Sequence, residues 1–402
     1  MDSLSLTRAL DIAIERNPDI TLSAIAVRAA EAAVLTADVS PNPALSLQAQ
    51  SINPRQGIGP GSLRDKQIDT TVRLDQLIER GGKRQYRTEN ASQMATASRS
   101  DLQEARRQLR LSVATAYYDL LAAQERMAIT RETASLFQST LDAAQKRKAA
   151  GDLAGSEVER LRVDVLRARN DARQAQADLT RSRLALLLML GISAAPDEIS
   201  AADAWPAPQA GARPTDVDAL LARRPDVQAA SARVQAAQAG LRLAQASRTR
   251  DVSVGVQADR SPASPMNGYY SSNSFGVSVQ VPLFTSNYFE GDIRNALAGV
   301  DSAQENLHKV RRQASFELQR AYNDMQSAQE RVARFRDELS QAAGRAVEAA
   351  EFAFRNGAIS VTDVLDARRT FRAITIDELS ARADYAKALS AWRAATLEDS
   401  SK

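Results

Sequence analysis

The chain contains 402 residues, of which 44% are hydrophobic and 25% are charged, and this composition excludes an intrinsically disordered protein. It contains no cysteine, which excludes disulfides and thiolate chemistry. The net charge of +3 arises from 52 basic and 49 acidic residues mixed along the sequence. That pattern is typical of solvated helices, so we expect no nucleic-acid partner.

Two further features concern location. The longest apolar run, residues 184–190, is far shorter than the roughly 20 residues of a transmembrane helix, so we expect none. The start, Met1-Asp2-Ser3, lacks the basic and apolar segments of a signal peptide. We therefore expect either a cytoplasmic protein or a mature form from which a signal peptide has been removed.

The sequence contains two similar halves. Asn17-Pro18-Asp19 in the first half is matched by Arg224-Pro225-Asp226 in the second. A repeat of this length indicates two structural halves related by pseudo-symmetry, not a solenoid of short units. The predicted organisation is a first repeat over 1–190, a connector over 191–213 and a second repeat over 214–402.

Each half is predicted to contain short helices, two strands and two long helices, in that order. Helices are predicted at 5–16 and 19–38, because Asn17-Pro18 ends the first helix. Alternating apolar and polar residues predict strands. These strands lie near 45–50, 68–74, 252–259 and 275–283, and the long helices are predicted over 83–150, 156–190, 287–356 and 360–397.

The strands are unusual because one face is apolar and the other strongly polar. Val252, Val254 and Val256, for example, alternate with Ser253 and Gly255. No amphipathic helix is left over to cover the apolar face, which favours contact with lipid, as in an outer-membrane barrel. Four strands cannot close a water-filled barrel, whereas three copies, with about twelve strands, can. The pattern therefore predicts an oligomer.

The long helices carry coiled-coil patterns. Apolar residues recur at spacings of three and four from Leu307 to Ala342, through Phe335 and Leu339, and again from Leu109 to Met127. A second apolar stripe runs beside the first. Helices with two apolar stripes assemble into sheets or cylinders of helices.

This order of elements resembles the TolC-type outer-membrane factors of tripartite efflux systems, over essentially the whole chain. The Gly81-Gly82-Lys83-Arg84 sequence most resembles the heavy-metal (cobalt–zinc–cadmium) branch. The other matching motifs are Asn17-Pro18-Asp19, the run from Leu74 to Arg80, Gly151-Asp152-Leu153, Val281-Pro282-Leu283-Phe284, Gly357-Ala358-Ile359 and Val364-Leu365-Asp366-Ala367.

The resemblance implies a mainly α protein with a four-stranded antiparallel β segment in each protomer. In that family a homotrimer forms a barrel of about twelve strands in the outer membrane of a Gram-negative bacterium, continuous with a periplasmic barrel of about twelve helices. A periplasmic adaptor and an inner-membrane RND-type pump are the implied partners, with outer-membrane lipid around the strands. Many members carry a signal peptide and a lipidated cysteine, and both are absent from this chain.

The resemblance also implies the site residues. Asp363, Asp366 and Glu157 stand where three copies would line a narrow periplasmic aperture with negative charge. From the residues alone, Asp363 also fits a helix-capping role after Ser360. The tyrosine and arginine that latch the gate in the family are Phe354 and Ile359 here, so Arg355 or Arg160 is the expected substitute.

The helical hairpin tips are the implied docking sites for the adaptor. Gly151 and Gly357 stand where one long helix reverses into the next, a position that by itself requires only a glycine C-cap. The complete set of predicted tip residues is Gly151, Asp152, Leu153, Gly357, Ala358 and Ile359.

Enzyme chemistry is not indicated. His308 is the only histidine and has no clustered partners, so we expect neither a metal site nor a cofactor. The resulting hypothesis is a passive exit duct of an efflux pump, with heavy-metal cations as the substrate that the branch resemblance suggests. The alternatives are a periplasmic adaptor, which has one helical hairpin between β-rich halves, and a soluble coiled-coil scaffold, which would need no detergent.

Overall fold

The computed structural model describes residues 3–52, 68–192, 199–208, 216–263, 270–356 and 358–398. Helices predominate, and four of the six strands form one antiparallel sheet, as predicted. The elements are β1 (Ser3–Leu4), α1 (Leu6–Arg16), α2 (Pro18–Ala37), β2 (Ala44–Gln50), β3 (Asp69–Ile78), α3 (Lys83–Ala149), α4 (Gly155–Met189), β4 (Ser200–Ala201), α5 (Val217–Arg223), α6 (Pro225–Ala246), β5 (Val252–Ser261), β6 (Ser272–Gln280), α7 (Glu290–Arg334), a π-helical segment (Phe335–Leu339), α8 (Ser340–Arg355) and α9 (Val361–Thr396).

The chain divides into two compact units. The first comprises Met1–Ile25, Ser100–Val227 and Lys309–Lys402, and the second comprises Ala26–Arg99 and Gln228–His308. Each unit therefore takes segments from both halves of the sequence. The predicted repeat boundaries, 1–190, 191–213 and 214–402, remain a prediction.

The second unit contains the sheet, with strand order β2-β3-β5-β6. Its register places apolar residues opposite one another across the ladder, as Leu47 faces Val72 and Val256 faces Val277. The apolar face is open: Leu47 is 73% exposed, Val277 77% and Phe275 86%. No described element covers this face, in agreement with the sequence prediction.

The opposite face of the sheet is polar and hydrogen-bonded. Arg73 binds Asp75, with 2.8 Å between Nε and Oδ2, and Thr71 donates to Asp259 at 2.6 Å. Gly255 lies among these side chains because no Cβ fits there: one would stand 2.3 Å from Asp75 Oδ1. Alternation therefore gives the sheet two chemically distinct faces.

The junction between β3 and α3 explains the Gly81-Gly82-Lys83-Arg84 sequence. Both glycines have positive φ, +73° and +75°, and a Cβ on Gly81 would lie 2.7 Å from the Thr249 side chain. Lys83 then forms an ion pair with Asp251 at 2.8 Å. The motif thus allows a close approach between the two chain segments that flank the sheet.

The first unit is helical and has three apolar clusters. One surrounds Tyr117 between α1, α3 and α4, and another surrounds Met325 and Tyr385 between α7 and α9. A third joins α3, α4 and α9 through Leu161 and Leu365. β1 and β4 form a short parallel pair that the sequence did not predict.

The predicted seam in the second half continues as far as Phe335, which is half-buried against the cluster around Met325 and Tyr385. The residues of the seam from Ala314 to Val332 are buried, but Leu339 and Ala342 are exposed and Ala343 is buried instead. The π-helical segment Phe335–Leu339 causes this difference. A π turn accommodates one residue more than an α turn, so the buried position moves from 342 to 343.

α2 differs from the expectation that no helix is apolar enough to span a membrane. Among the described residues it alone passes by length and composition, with a mean hydropathy of 1.5. Its many alanines raise the mean hydropathy, although the charged residues Arg28 and Glu31 interrupt the apolar sequence of the helix. Glu31 also accepts a hydrogen bond from Arg99 at 2.7 Å. Composition alone is weak evidence for a membrane span.

Candidate functional site: the helical hairpin tips

Helix α3 reverses into α4 through a glycine C-cap. Gly151 has φ +86°, its N–H donates to Lys148 O at 3.0 Å, and the Asp152 N–H donates to Arg147 O at 2.9 Å. This pair of bonds is a Schellman motif, which requires a left-handed residue. Nothing lies within 4 Å of a Cβ built on Gly151, so the glycine serves the backbone and not close packing.

The second tip ends α8 in a similar way. The Ala358 N–H donates to Ala353 O at 2.9 Å, which is the bond of the same motif that joins residues five positions apart. Gly357 lies outside the described residues. Ala358 is exposed and Ile359 is half-buried.

Asp363 has the capping role that the sequence allowed. Its Oδ2 accepts from the Ser360 N–H at 3.0 Å, and the Ser360 Oγ accepts from the Asp363 N–H at 3.3 Å. This reciprocal capping box begins α9 and places the carboxylate at the positive end of the helix dipole. Asp363 is exposed, so its charge also faces solvent.

Asp366 belongs to an ion-pair network that the sequence did not predict. Arg369 pairs with Asp366 at 2.6 Å and also with Asp164 of α4. The Asp164 side chain is only 7% exposed. A carboxylate within the apolar series Leu161, Val165 and Ala168 was the available sequence signal, because a buried charge requires a partner.

Beside these residues lies a groove with a volume of 450 Å³. Arg368 spans one side of it, paired with Glu351 of α8 at 2.7 Å. The groove brings together two predicted residues, Leu153 of the first tip and Arg355 of the second. The apolar part of the lining comes from Leu136, Ala143, Ala144, Leu153, Phe354, Val364 and Leu365.

Glu157 and Arg160 are exposed on α4 and do not line the groove. Arg355 donates from Nε to Glu351 O of its own helix at 3.3 Å. The structure therefore gathers Leu153 and Arg355, and separately caps Asp363 and pairs Asp366. In the part of the chain described, no three acidic, histidine or cysteine side chains are grouped as metal ligands.

Comparisons with known proteins agree with this architecture. Residues 9–192 and 217–396 match the family described as "Outer membrane efflux protein". The cobalt-zinc-cadmium resistance protein CzcC of Cupriavidus metallidurans is 26% identical over 367 residues, which are 91% of this chain and 84% of CzcC.

Solved structures share the fold. The outer-membrane channel OprN has a TM-score of 0.81 at 22% identity, covering 98% of this chain and 90% of that one. VceC from Vibrio cholerae has a TM-score of 0.77 at 19% identity, covering 97% and 95%. The prediction of an efflux exit duct is thereby confirmed in preference to an adaptor or a scaffold: the chain belongs to the outer membrane efflux protein family.

Proposed function

We propose that three copies of this chain close a single outer-membrane duct that passes substrate from a pump to the exterior. The observation that carries the proposal is the sheet, whose apolar face is open and whose outer strands β2 and β6 have no further partner in the described chain. An unpaired strand edge is a template for another chain. Three sheets joined edge to edge give a wall of about twelve strands, polar inside and apolar outside.

The helices of three copies would then form a periplasmic wall of about twelve long helices. Each copy contributes four: α3, α4, the helix that runs from α7 into α8, and α9. The predicted sequence repeat supports such a cylinder, because each half of the sequence contributes one long helical hairpin. The hairpin tips, with Gly151, Asp152 and Leu153 in one and Gly357, Ala358 and Ile359 in the other, are the surfaces that we assign to a periplasmic adaptor. An inner-membrane RND-type pump completes the proposed system.

The gate assignment rests on exposed charge near these tips. Asp363 and Asp366 lie on one turn of α9, and Glu157 occupies the corresponding first turn of α4. Threefold repetition would concentrate this charge around the aperture and favour cations. Arg369 already holds Asp366, so opening exchanges ion-pair partners, with Arg355 and Arg160 as the nearby exposed cations of the two tips.

Heavy-metal cations are the proposed substrate class. The support is the relative named for cobalt, zinc and cadmium resistance, together with the acidic aperture. Substrate would pass by without fixed coordination, since cation selectivity from a carboxylate ring requires only weak, repeated contacts.

A pair of substitutions on one strand tests the duct. Leu47 and Gln48 are neighbours in β2, but Leu47 faces Val72 on the apolar face and Gln48 faces Thr71 on the polar face. Leu47→Lys should cost about 2–4 kcal/mol of membrane stability, because a lysine would then face hydrocarbon. Gln48→Lys should insert normally and change only conductance.

The measurement is insertion and single-channel conductance in planar bilayers, with the mass of the detergent-solubilised particle determined in parallel. A monomeric, detergent-independent protein without conductance would contradict the proposal. So would equal insertion of both lysine variants.

A further inference from the structure

The apolar face of the sheet ends, on the side where α3 begins, at Ile78 and Val252. These two residues are paired across the β3–β5 ladder. Arg80 and Arg250 each lie two residues beyond this last pair, at the same end of the ladder. The Arg80 N–H donates to Asp251 Oδ1 at 2.9 Å, which keeps the two chain segments adjacent.

Like charges gathered at one end of a ladder repel, and an anion between them would remove that repulsion. The Arg80 and Arg250 side chains are exposed, and so is Arg248. In the described part of the chain no carboxylate forms an ion pair with any of the three. The acids adjacent to them in sequence, Asp251 and Glu79, are paired with Lys83 and Arg87 instead.

Aromatic rings hold this basic edge in place. The Arg250 guanidinium lies 5.3 Å from the centre of the Phe284 ring, which in turn meets Phe289 edge-on at 5.2 Å. Arg248 donates to Tyr288 O at 3.2 Å, and Tyr288 is 55% exposed. An arginine over a ring is restrained but keeps its outward N–H groups available.

Beyond the strand ends, the apolar face is therefore followed by aromatic rings and arginines that lie together. This order matches a lipid monolayer read from acyl chain to headgroup, where aromatic side chains occupy the interface. The planar forks of paired arginines suit phosphate oxygens, which they bind through two parallel hydrogen bonds.

We propose that Arg80, Arg248 and Arg250 form a binding site for the phosphate headgroup of an anionic phospholipid at the helix-side boundary of the membrane. In this site Arg250 lies over the Phe284 ring and Arg248 is bonded to Tyr288 O. The inference rests on the proposed membrane placement of the sheet, and it names the lipid partner of that sheet. The acyl chains of the lipid lie along the open apolar face beside Ile78 and Val252. The headgroup neutralises the clustered arginines.

The test uses the full chain in micelles of a neutral detergent, titrated with phosphatidylglycerol, and bound lipid is counted by native mass spectrometry. Phosphatidylcholine and diacylglycerol serve as zwitterionic and phosphate-free comparisons and should bind more weakly. The double variant Arg80→Gln/Arg250→Gln should lose about thirty-fold in phosphatidylglycerol affinity, because each basic residue at an anionic lipid surface contributes about 1 kcal/mol.

Arg320→Gln is the matched control: it removes the same charge from an exposed side chain of α7 and should leave affinity unchanged. Arg250→Lys keeps the charge without the planar fork and should lose an intermediate amount. Unchanged affinity in the double glutamine variant would overturn the proposal. So would full competition by millimolar inorganic phosphate, which would identify a site for free anions.

Conductance separates this inference from the duct proposal. The double variant should still form pores, which shows that it folds and inserts. If it does so with unaltered lipid affinity, the lipid site is wrong while the duct stands. If the unsubstituted chain forms no pores, the duct proposal fails irrespective of the lipid result.

Discussion

The equivalent turns of the two sequence halves are held by different chemistry. Asn17 is 5% exposed, donates to Met189 O at 3.0 Å and accepts from the Asp19 N–H at 2.8 Å. Arg224 is 1% exposed and pairs with Asp226 at 2.9 Å and Glu317 at 2.7 Å. The match between the two sequence halves predicted that one helix ends and the next begins at both places. It could not predict the buried ion pairs, because Glu317 is distant in sequence.

Tyr117 gives a prediction for alkaline pH. Its hydroxyl donates to Leu4 O at 2.9 Å and accepts from the Asp203 N–H at 3.0 Å, and burial raises its pKa to about 12. The folded state therefore keeps this group neutral where an unfolded tyrosine ionises. Its contribution to stability is complete below the unfolded pKa of about 10 and is lost as pH rises through 12.

Tyr117→Phe should lower the free energy of unfolding by about 1–3 kcal/mol at neutral pH, since it leaves buried backbone groups unpaired. Urea unfolding at several pH values measures this. The variant should also lose less stability than the parent between pH 10 and 12. Tyr270→Phe, at a 78% exposed position, is the control, and an equal effect there would contradict the role of burial.

Asp366 gives a prediction for the gate. Asp366→Asn removes one carboxylate from Arg369, which keeps Asp164, so α9 should stay folded while the aperture loses charge. Cation-over-anion preference in planar bilayers should fall several-fold. Asp337→Asn, at an exposed acid of the π-helical segment, should leave it unchanged. Equal cation-over-anion preference in the unsubstituted chain and in both variants would remove Asp366 from the proposed gate.

At the scale of elements, periodicity was sufficient for the sheet and the long helices. Alternation locates a strand and also assigns its faces, because a shift of one residue would turn every side chain over. The predicted strand near 68–74 is β3, Asp69–Ile78. β1 and β4, with two residues each, are too short to have a period. The π-helical segment was missed because the apolar spacing through it reads as a continuous α-helix.

Deleting one residue tests that explanation. Removal of exposed Asp337 should convert the π turn into α-helix while Ala343 stays buried, since the downstream helix then keeps its rotation. Hydrogen exchange of the amides around 335–343 should slow, and the melting temperature should stay the same or rise. A melting temperature lower by several degrees, with faster exchange beyond Ala343, would show that the extra residue is needed for packing.

At the scale of the whole molecule, the sequence pattern predicted an oligomer of three copies, and that assembly stays a prediction. The uncovered face of the sheet could be anticipated from Val252, Val254 and Val256, because no helix remained to cover them. The pairing of Arg369 with Asp164 could not, since it depends on the contact between α4 and α9. The division into two compact units was also not visible, because each unit draws on both halves.

The absence of cysteine allows a direct test of strand closure. If β2 of one copy pairs with β6 of the next, chains that each carry one cysteine in β2 and one in β6 on the polar face, scanned from Gln48 and Ser274, should include combinations that crosslink between chains. The expected product on a denaturing gel is a ladder that ends at three chains. The same scan between β3 and β5 should crosslink only within one chain. A ladder that stops at two chains would contradict a closed ring of three copies.

The capping box at the start of α9 has a mechanical consequence. Since the carboxylate of Asp363 is bonded to the backbone that begins the helix, rotating the side chain away breaks the capping bond to the Ser360 N–H, at a cost of about 1 kcal/mol. Its charge is therefore held at the start of α9, whereas Asp366 can exchange Arg369 for another arginine. A displacement of α9 would move the Asp363 charge together with the helix and would allow Asp366 to pair with a different cation.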